Sequence, residues 1–265
     1  MQRPFRPIKR LGQHFLTDPN VARKIVDALR APENARVVEI GAGTGALTDL
    51  LSARFCDLIA IEVDERAVNV LKERVGGVDI RQMDALAIDW ATLVRGEDQL
   101  FVIGNLPYYI TSQILFSLLE CRVHIGEAVL MMQLEVAQRL VAVPRTKAYG
   151  ILSVILQNYA GVEVLFRVSR NVFRPKPDVT SAVVRIVFRE AGDREPNPRL
   201  FREVVRSAFN QRRKTLRNSL GSLLEERGCE LPAGWGARRA EELTPEEFVA
   251  LTNSLEDQPR SRSRI

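Results

Sequence analysis

One run of residues constrains this chain more than any other: Val37-Val38-Glu39-Ile40-Gly41-Ala42-Gly43-Thr44-Gly45. It reads as a short strand, Arg36–Ile40, entering a glycine turn that opens a helix through Ala53. Glycines there let the backbone turn tightly and let a ligand approach without meeting a Cβ. A second strand, Leu58–Glu62, places Glu62 21 residues beyond Gly41. That is the distance at which an acidic side chain reaches a ribose diol in Rossmann-like folds.

The turn is GxGxG, not the GxGxxG of dinucleotide enzymes, and the acidic Glu39 precedes it. A pyrophosphate would be repelled by that carboxylate. S-adenosylmethionine, with a sulfonium, an ammonium and no phosphate, tolerates it. On these residues alone a methyltransferase is the best reading, with a dinucleotide enzyme and a plain structural turn left open. Asp84 follows a third short strand, Asp79–Gln82. A carboxylate there can accept from a cofactor's adenine amine, or simply cap the next helical turn.

The rest of the chain completes an α/β pattern. Helical spacing of Val21, Ile25, Val26 and Leu29, behind Asp18 as N-cap, predicts a helix from Pro19 to Leu29. Further helices are expected at Glu65–Arg74, Thr111–Leu119, Glu135–Val141 and Ile151–Tyr159, and strands at Leu100–Gly104, Ala128–Met132, Val162–Val168 and Ala182–Phe188. Such alternation predicts a Rossmann-like domain with a mostly parallel sheet covered on both faces. No helix separates the last two strands, so one of them is expected to run antiparallel. Ala191–Pro198 reads as a linker to a small all-helical domain. The expected division is therefore 1–190, 191–256 and a disordered Arg/Ser-rich tail at 257–265.

Asn105-Leu106-Pro107-Tyr108 lies just past the carboxyl end of the strand Leu100–Gly104, where open α/β sheets place their ligands. The lone pair of an adenine amine is delocalised into its ring, so the nitrogen is a poor nucleophile. Acceptors aimed at its two N–H groups draw it towards pyramidal geometry and stabilise the charge that develops on alkylation. The Asn105 side-chain oxygen and the Leu106 carbonyl can be those acceptors. Pro107 fixes the turn and brings no competing donor, and Tyr108 offers a ring for the base to stack on. The tetrapeptide alone could be an ordinary β-turn. About 60 residues beyond the glycine turn and on the correct strand, it points to adenine methylation.

Four segments together resemble the ribosomal RNA adenine dimethyltransferases of the small subunit, the kasugamycin-sensitivity family. They are Leu11-Gly12-Gln13-His14-Phe15-Leu16, the glycine turn with the Asn-Leu-Pro-Tyr motif, Phe173-Arg174-Pro175-Lys176-Pro177-Asp178-Val179-Thr180-Ser181, and Asn210-Gln211-Arg212-Arg213-Lys214-Thr215-Leu216-Arg217-Asn218-Ser219-Leu220. The resemblance implies that His14, Leu16, Gly41, Glu62, Asp84 and Asn105 contact the methyl donor, and the glycine turn itself adds Gly43. It also implies that Phe173 stacks on the target base. A base held between Tyr108 and Phe173 keeps its amine edge free to accept a second methyl, and such a base leaves its stack most cheaply in an RNA loop. The implied partner is small-subunit rRNA or an immature small subunit, with two adjacent adenines near its 3′ end as targets. Tyr109, Gln113 and Leu134 depart from residues common in the family.

Thirty-eight Lys and Arg against 33 Asp and Glu, with pI near 9.4, make a modest basic excess. It is uneven: Arg199–Arg217 carries seven basic residues and one acid, Glu203. On an ideal helix Arg199, Arg202, Arg206, Arg213 and Arg217 fall within roughly 60° of one another, opposite Phe201, Val204, Val205 and Ala208, so the segment reads as one amphipathic helix or as two with a break near Asn210. A solvated charged face is the bland reading. Beside an adenine-methylating site, phosphate contacts from Arg202, Arg206, Arg212, Arg213, Lys214 and Arg217 are preferred.

Cys56, Cys121 and Cys229 match no metal-ligand spacing and no disulfide framework, so no metal and a reducing compartment are expected. Met1–Arg10 lacks a signal peptide's apolar core, and no run approaches a membrane span. The expectation is a cytoplasmic monomer without membrane attachment. A large-subunit resistance methyltransferase shares the donor and acceptor motifs, a DNA methyltransferase would need a target-recognition insertion, and a non-catalytic assembly factor would not need Gly41, Glu62, Asp84 and Asn105.

Overall fold

The short apolar runs of the first two hundred residues are strands because each is flanked by glycine or polar turns and is too brief for a helix to bury. The computed structural model describes residues 7–8, 11–96, 98–189 and 196–258. In chain order they form β1 (Phe15–Leu16), α1 (Pro19–Asp27), β2 (Arg36–Ile40), α2 (Thr48–Ser52), β3 (Asp57–Glu62), α3 (Glu65–Arg74), β4 (Asp79–Gln82), β5 (Leu100–Asn105), α4 (Thr111–Glu120), β6 (Ile125–Gln133) and α5 (Leu134–Leu140). Then follow α6 (Ile151–Tyr159), β7 (Ala160–Val168), β8 (Phe173–Arg174), β9 (Ser181–Phe188), α7 (Pro198–Asn210), α8 (Leu216–Ser219), α9 (Gly221–Arg227) and α10 (Pro245–Glu256).

Seven strands make one sheet in the order β4-β3-β2-β5-β6-β9-β7. β2 pairs in parallel with β3 and β5, β3 with β4, and β5 with β6, while β9 runs antiparallel to β6. This is the expected Rossmann-like α/β sheet, with its antiparallel strand among the last. The order reverses beside β2, so the carboxyl ends of β2 and β5 diverge into a crevice. Gly104 pairs with Ile40 across those ends, and a Cβ on Gly104 would lie 2.4 Å from the Ile40 carbonyl oxygen. Only glycine lets the two strands deliver their turns side by side.

Asp18 caps α1 by accepting from the Asn20 and Val21 amides. Ile25, Val26 and Leu29 then bury in one core with Val37, Leu58, Ile103 and Val129 of the sheet and Leu51 of α2. β1 and β8, two residues each, pair antiparallel as Phe15↔Arg174 and Leu16↔Phe173. They have no sequence signal, because a two-residue strand exists only through its partner.

By their contacts the residues form two compact units: those up to 137 with 161–189, and 138–160 with those from 196 on. The expected single cut at 190 leaves α6 in the first unit, whereas α6 packs against α7 and α10. Tyr159 meets Phe201 edge-on, and the Tyr149 hydroxyl donates to the Leu243 carbonyl at 2.7 Å. α6 is apolar enough to be buried by either unit, so its sequence does not say which. The second unit's described elements are helical, apart from one isolated bridge, Thr215↔Arg239. The expected linker lies largely, and the tail from 259 on entirely, outside the described residues, as do residues 1–6 and 9–10 of the basic N-terminus.

Candidate active site

The glycine turn is held by the acid from the next strand. One Glu62 carboxylate oxygen accepts from the Gly43 amide at 2.7 Å, and the other from the Val63 and Asp64 amides at 2.9 Å each. Gly41 and Gly43 sit at φ 71° and 54°, where L side chains are strained. A Cβ on Gly41 would lie 3.2 Å from the Asn105 carbonyl oxygen. The glycine turn and the Asn-Leu-Pro-Tyr turn are thus in direct contact.

Between them opens a cavity of about 860 Å³, its solvent-open part included, lined by His14, Gly41, Gly43, Glu62, Asp84 and Asn105 among others, with Leu106, Pro107 and Tyr108 on the same wall. Leu16 is not on this wall. Its side chain is in the core, and it borders a smaller recess with Glu39, Gly43 and Asn105. One Asp84 oxygen accepts from the Leu86 amide at 2.9 Å, so the capping alternative is realised, yet the residue still borders the cavity.

The Asn105 amide is oriented by a single bond: its Nδ2 donates to the His14 carbonyl at 3.0 Å. This leaves Oδ1 as the acceptor of the pair. The Leu106 amide donates back to the Met131 carbonyl on β6, and the Ile110 amide and Thr111 hydroxyl both donate to the Pro107 carbonyl. The turn is therefore rigid at both ends. Tyr108 bonds Ser181 through its hydroxyl at 2.7 Å and stacks on the His14 ring, centroids 5.5 Å apart. Burial pushes its phenol above the ordinary value, with the Ser181 bond opposing, so it stays protonated at neutral pH.

His14 is the residue whose importance the sequence understated. Its Nδ1 donates to the Pro175 carbonyl at 2.8 Å, so its ring and backbone join the first, second and third motif segments. Gln13 extends the tie, its Nε2 donating to Asp64, the N-cap of α3, at 2.9 Å. Only the clustering of polar residues in Gly12-Gln13-His14 hints at this in the sequence.

Phe173 requires a correction. It is fully buried in the core with Leu16, Val168 and Val183 and does not line the cavity. The β1–β8 pairing turns its ring inwards, so it presents no face to a base here. The exposed aromatic ring at the cavity is Tyr109, 56% accessible and against Gly12.

Glu39 is 1% exposed, and its Oε2 has no hydrogen-bond partner. Burial pushes its pKa up to about 8. The Thr48 hydroxyl opposes this, and Glu62 and Asp49 reinforce it. The folded protein therefore holds a proton here that the unfolded chain releases above about pH 4.5. Stability from this group is full below that pH and is lost as pH rises towards 8. Relative to Glu39→Gln, the wild type is expected to lose stability progressively as pH rises from about 5 towards 8. Denaturant titrations at pH 5.5 and 7.5 check this; parallel pH profiles would contradict it.

The basic segment takes the second of its two expected forms, helices separated by a break after Asn210. α7 ends at Asn210, where Gln211 takes a non-helical conformation, so Arg213 and Arg217 are not on the α7 stripe. Phe201, Val204, Val205 and Ala208 are fully buried, as their face requires. Arg206 is exposed, and Arg202 is half-buried with Nε donating to the Pro198 carbonyl. Arg212 is engaged: it pairs with Glu241 at 3.0 Å and donates to the Lys147 and Thr146 carbonyls. Its guanidinium is bonded within the protein although the side chain stays 41% exposed. Arg213, Lys214 and Arg217 are exposed. Among the described residues no group of His, Cys, Asp and Glu could hold a metal, and no helix is long and apolar enough to cross a membrane.

Residues 5–257 match the family model described as ribosomal RNA adenine dimethylase. A ribosomal RNA small subunit methyltransferase A of Salinibacter ruber is 55% identical over 260 residues, 97% of this chain and 87% of that protein. A crystal structure of a dimethyladenosine transferase from Plasmodium falciparum superposes with a TM-score of 0.79 at 25% identity, covering 92% of this chain and 98% of the other. The 23S rRNA methyltransferase ErmE superposes at 0.67, also 25% identical, over 92% of this chain and all of that one.

Proposed function

This chain belongs to the ribosomal RNA adenine dimethylase family, and from that premise we propose that it binds S-adenosylmethionine in the Gly41–Glu62 cavity and dimethylates N6 of adenines in small-subunit rRNA. It is an rRNA adenine dimethyltransferase. The observation that carries the site assignment is the contact between the two turns, with 3.2 Å separating a Gly41 Cβ position from the Asn105 carbonyl.

The residues present fit the cofactor. The glycines leave room that a Cβ would fill, and Glu62 stands where a ribose diol is read. When bound, S-adenosylmethionine supplies a methyl group on a sulfonium. The chain's own work is on the acceptor. Asn105 Oδ1 and the Leu106 carbonyl accept from the two amine N–H groups, and the charge that develops on nitrogen strengthens both bonds. Pro107 has no N–H to compete, and the base stacks on Tyr108, whose other neighbour is His14. The methylated ammonium is acidic and releases its proton to water, so no strong base is required.

With Phe173 enclosed, the base rests on one aromatic face and not between two. The targets we assign are two adjacent adenines in a loop near the 3′ end, where unstacking is cheap. We also propose that a cytoplasmic monomer acts on rRNA or on an immature small subunit, and that its helical unit supplies phosphate contacts. The small-subunit substrate rather than the large is supported by the 55% identity to the Salinibacter ribosomal RNA small subunit methyltransferase A. Mapping of methylated adenines in rRNA from cells lacking the protein tests this. Dimethyladenine should vanish from the small-subunit loop alone; its persistence there would overturn the assignment.

A further inference from the structure

Within the second unit, Arg212 does not merely pair with an acid. Its Nε meets Glu241 at 3.0 Å, while Nη1 and Nη2 donate to the carbonyls of Lys147 at 2.9 Å and Thr146 at 3.1 Å. Glu241 completes the clasp from its own backbone, its carbonyl accepting from the Arg145 amide at 2.7 Å. Arg145 stands at φ 67°, a left-handed conformation that a residue with a Cβ rarely adopts. Such a conformation persists where the surroundings over-determine it. Here they do: the Thr146 hydroxyl donates to the Val143 carbonyl at 2.7 Å, and Tyr149, buried, donates its amide to the Thr146 carbonyl and its hydroxyl to Leu243.

The clasp fixes the backbone of the segment 143–147 but leaves its cations outside. Arg145 and Lys147 are exposed, and among the described residues neither side chain has an acidic partner. Residues 141–150 and 210–219 contain no acid at all. Together they carry six cations, Arg145, Lys147, Arg212, Arg213, Lys214 and Arg217, against Glu241, which Arg212 consumes. A loop needed only for stability has no reason to be locked with two unpaired cations on a strained backbone. For a polyanion, cations on a pre-ordered backbone bind with less entropy lost than cations on a free loop.

We propose that Arg145 and Lys147 are phosphate contacts for the RNA substrate, and that Arg212 is the positioning residue that joins their loop to the Arg213–Arg217 turn as one surface. This rests on the rRNA-methyltransferase reading. It adds a loop that neither the basic-helix pattern nor the motif segments include.

The test is the salt dependence of binding to unmethylated small-subunit rRNA transcribed in vitro. Arg145→Gln with Lys147→Gln should flatten the slope of log affinity against log salt by up to ~1.5, the share of two phosphate contacts, and leave methyl-donor affinity unchanged. Arg212→Lys keeps the charge but loses the fork that holds both carbonyls, so it should flatten the slope as well. In the Arg145→Gln, Lys147→Gln background it should add nothing. An unchanged slope in the double variant overturns the proposal. Additive loss from Arg212→Lys in that background would overturn the positioning role, because Arg212 would then touch phosphate itself. If Arg212→Lys does not fold, the double variant, altered only at exposed side chains, still decides. Failure of the wild type to bind or methylate this RNA would instead count against the proposed function.

Discussion

Asn105→Ala is expected to lower the single-turnover methylation rate by ~10²–10³ while RNA binding is retained, by analogy with the removal of one oxyanion-hole donor. The acceptor at Asn105 matters chiefly as charge appears on the amine, so its loss belongs to the rate and not to the ground-state complex. The structure adds a complication: the same amide donates to the His14 carbonyl, so alanine also loosens the segment that covers the cavity. Asn105→Asp separates the two, because it keeps an acceptor and loses the N–H donor. If the acceptor is what counts, aspartate should retain more rate than alanine. Equal losses would assign the effect to the His14 tie, and a fall of less than about threefold in the alanine variant would remove Asn105 from the chemistry.

Gly43→Val should reduce methyl-donor affinity at least ~100-fold in a protein that still folds. Gly43 lies at φ 54°, its amide is committed to Glu62, and a Cβ there would press on the Phe15 ring at 3.1 Å. A β-branched residue at positive φ would strain the turn and crowd the cavity at once. Gly77→Val provides the control, since Gly77 has φ 75° with nothing within 4 Å of its Cβ position. It carries comparable backbone strain without touching the cavity, so calorimetry should find donor affinity preserved. Equal losses in both variants would trace the effect to general destabilisation.

The sheet was legible because its signals are local. Arg36–Ile40, Glu65–Arg74 and Asp79–Gln82 form where their apolar periodicity and flanking glycines place them. The donor and acceptor turns were legible for the same reason, each being a contiguous motif at a strand end. What the sequence hid depends on distant partners. The β1–β8 pairing brings residues 15–16 to 173–174 and turns Phe173 into the core, which no period or propensity encodes. The sequence allows a break near Asn210 beside a single helix and does not decide between them, because Asn-Gln-Arg-Arg holds no glycine or proline; the non-helical Gln211 takes Arg213 and Arg217 off the α7 stripe. The commitment of Arg212 needed Glu241 and the Thr146–Lys147 backbone, both remote in the chain. His14 was placed by likeness alone, and its bonds to Asn105, Tyr108 and Pro175 explain why a histidine stands there.

The most direct test of the central claim is nucleoside analysis after exhaustive reaction of the purified protein and S-adenosylmethionine with unmethylated small subunits, large subunits and duplex DNA in parallel. N6,N6-dimethyladenine should accumulate in the small-subunit RNA, with little product on the other two. Monomethyladenine as the end product, or large subunits as the better acceptor, would contradict it.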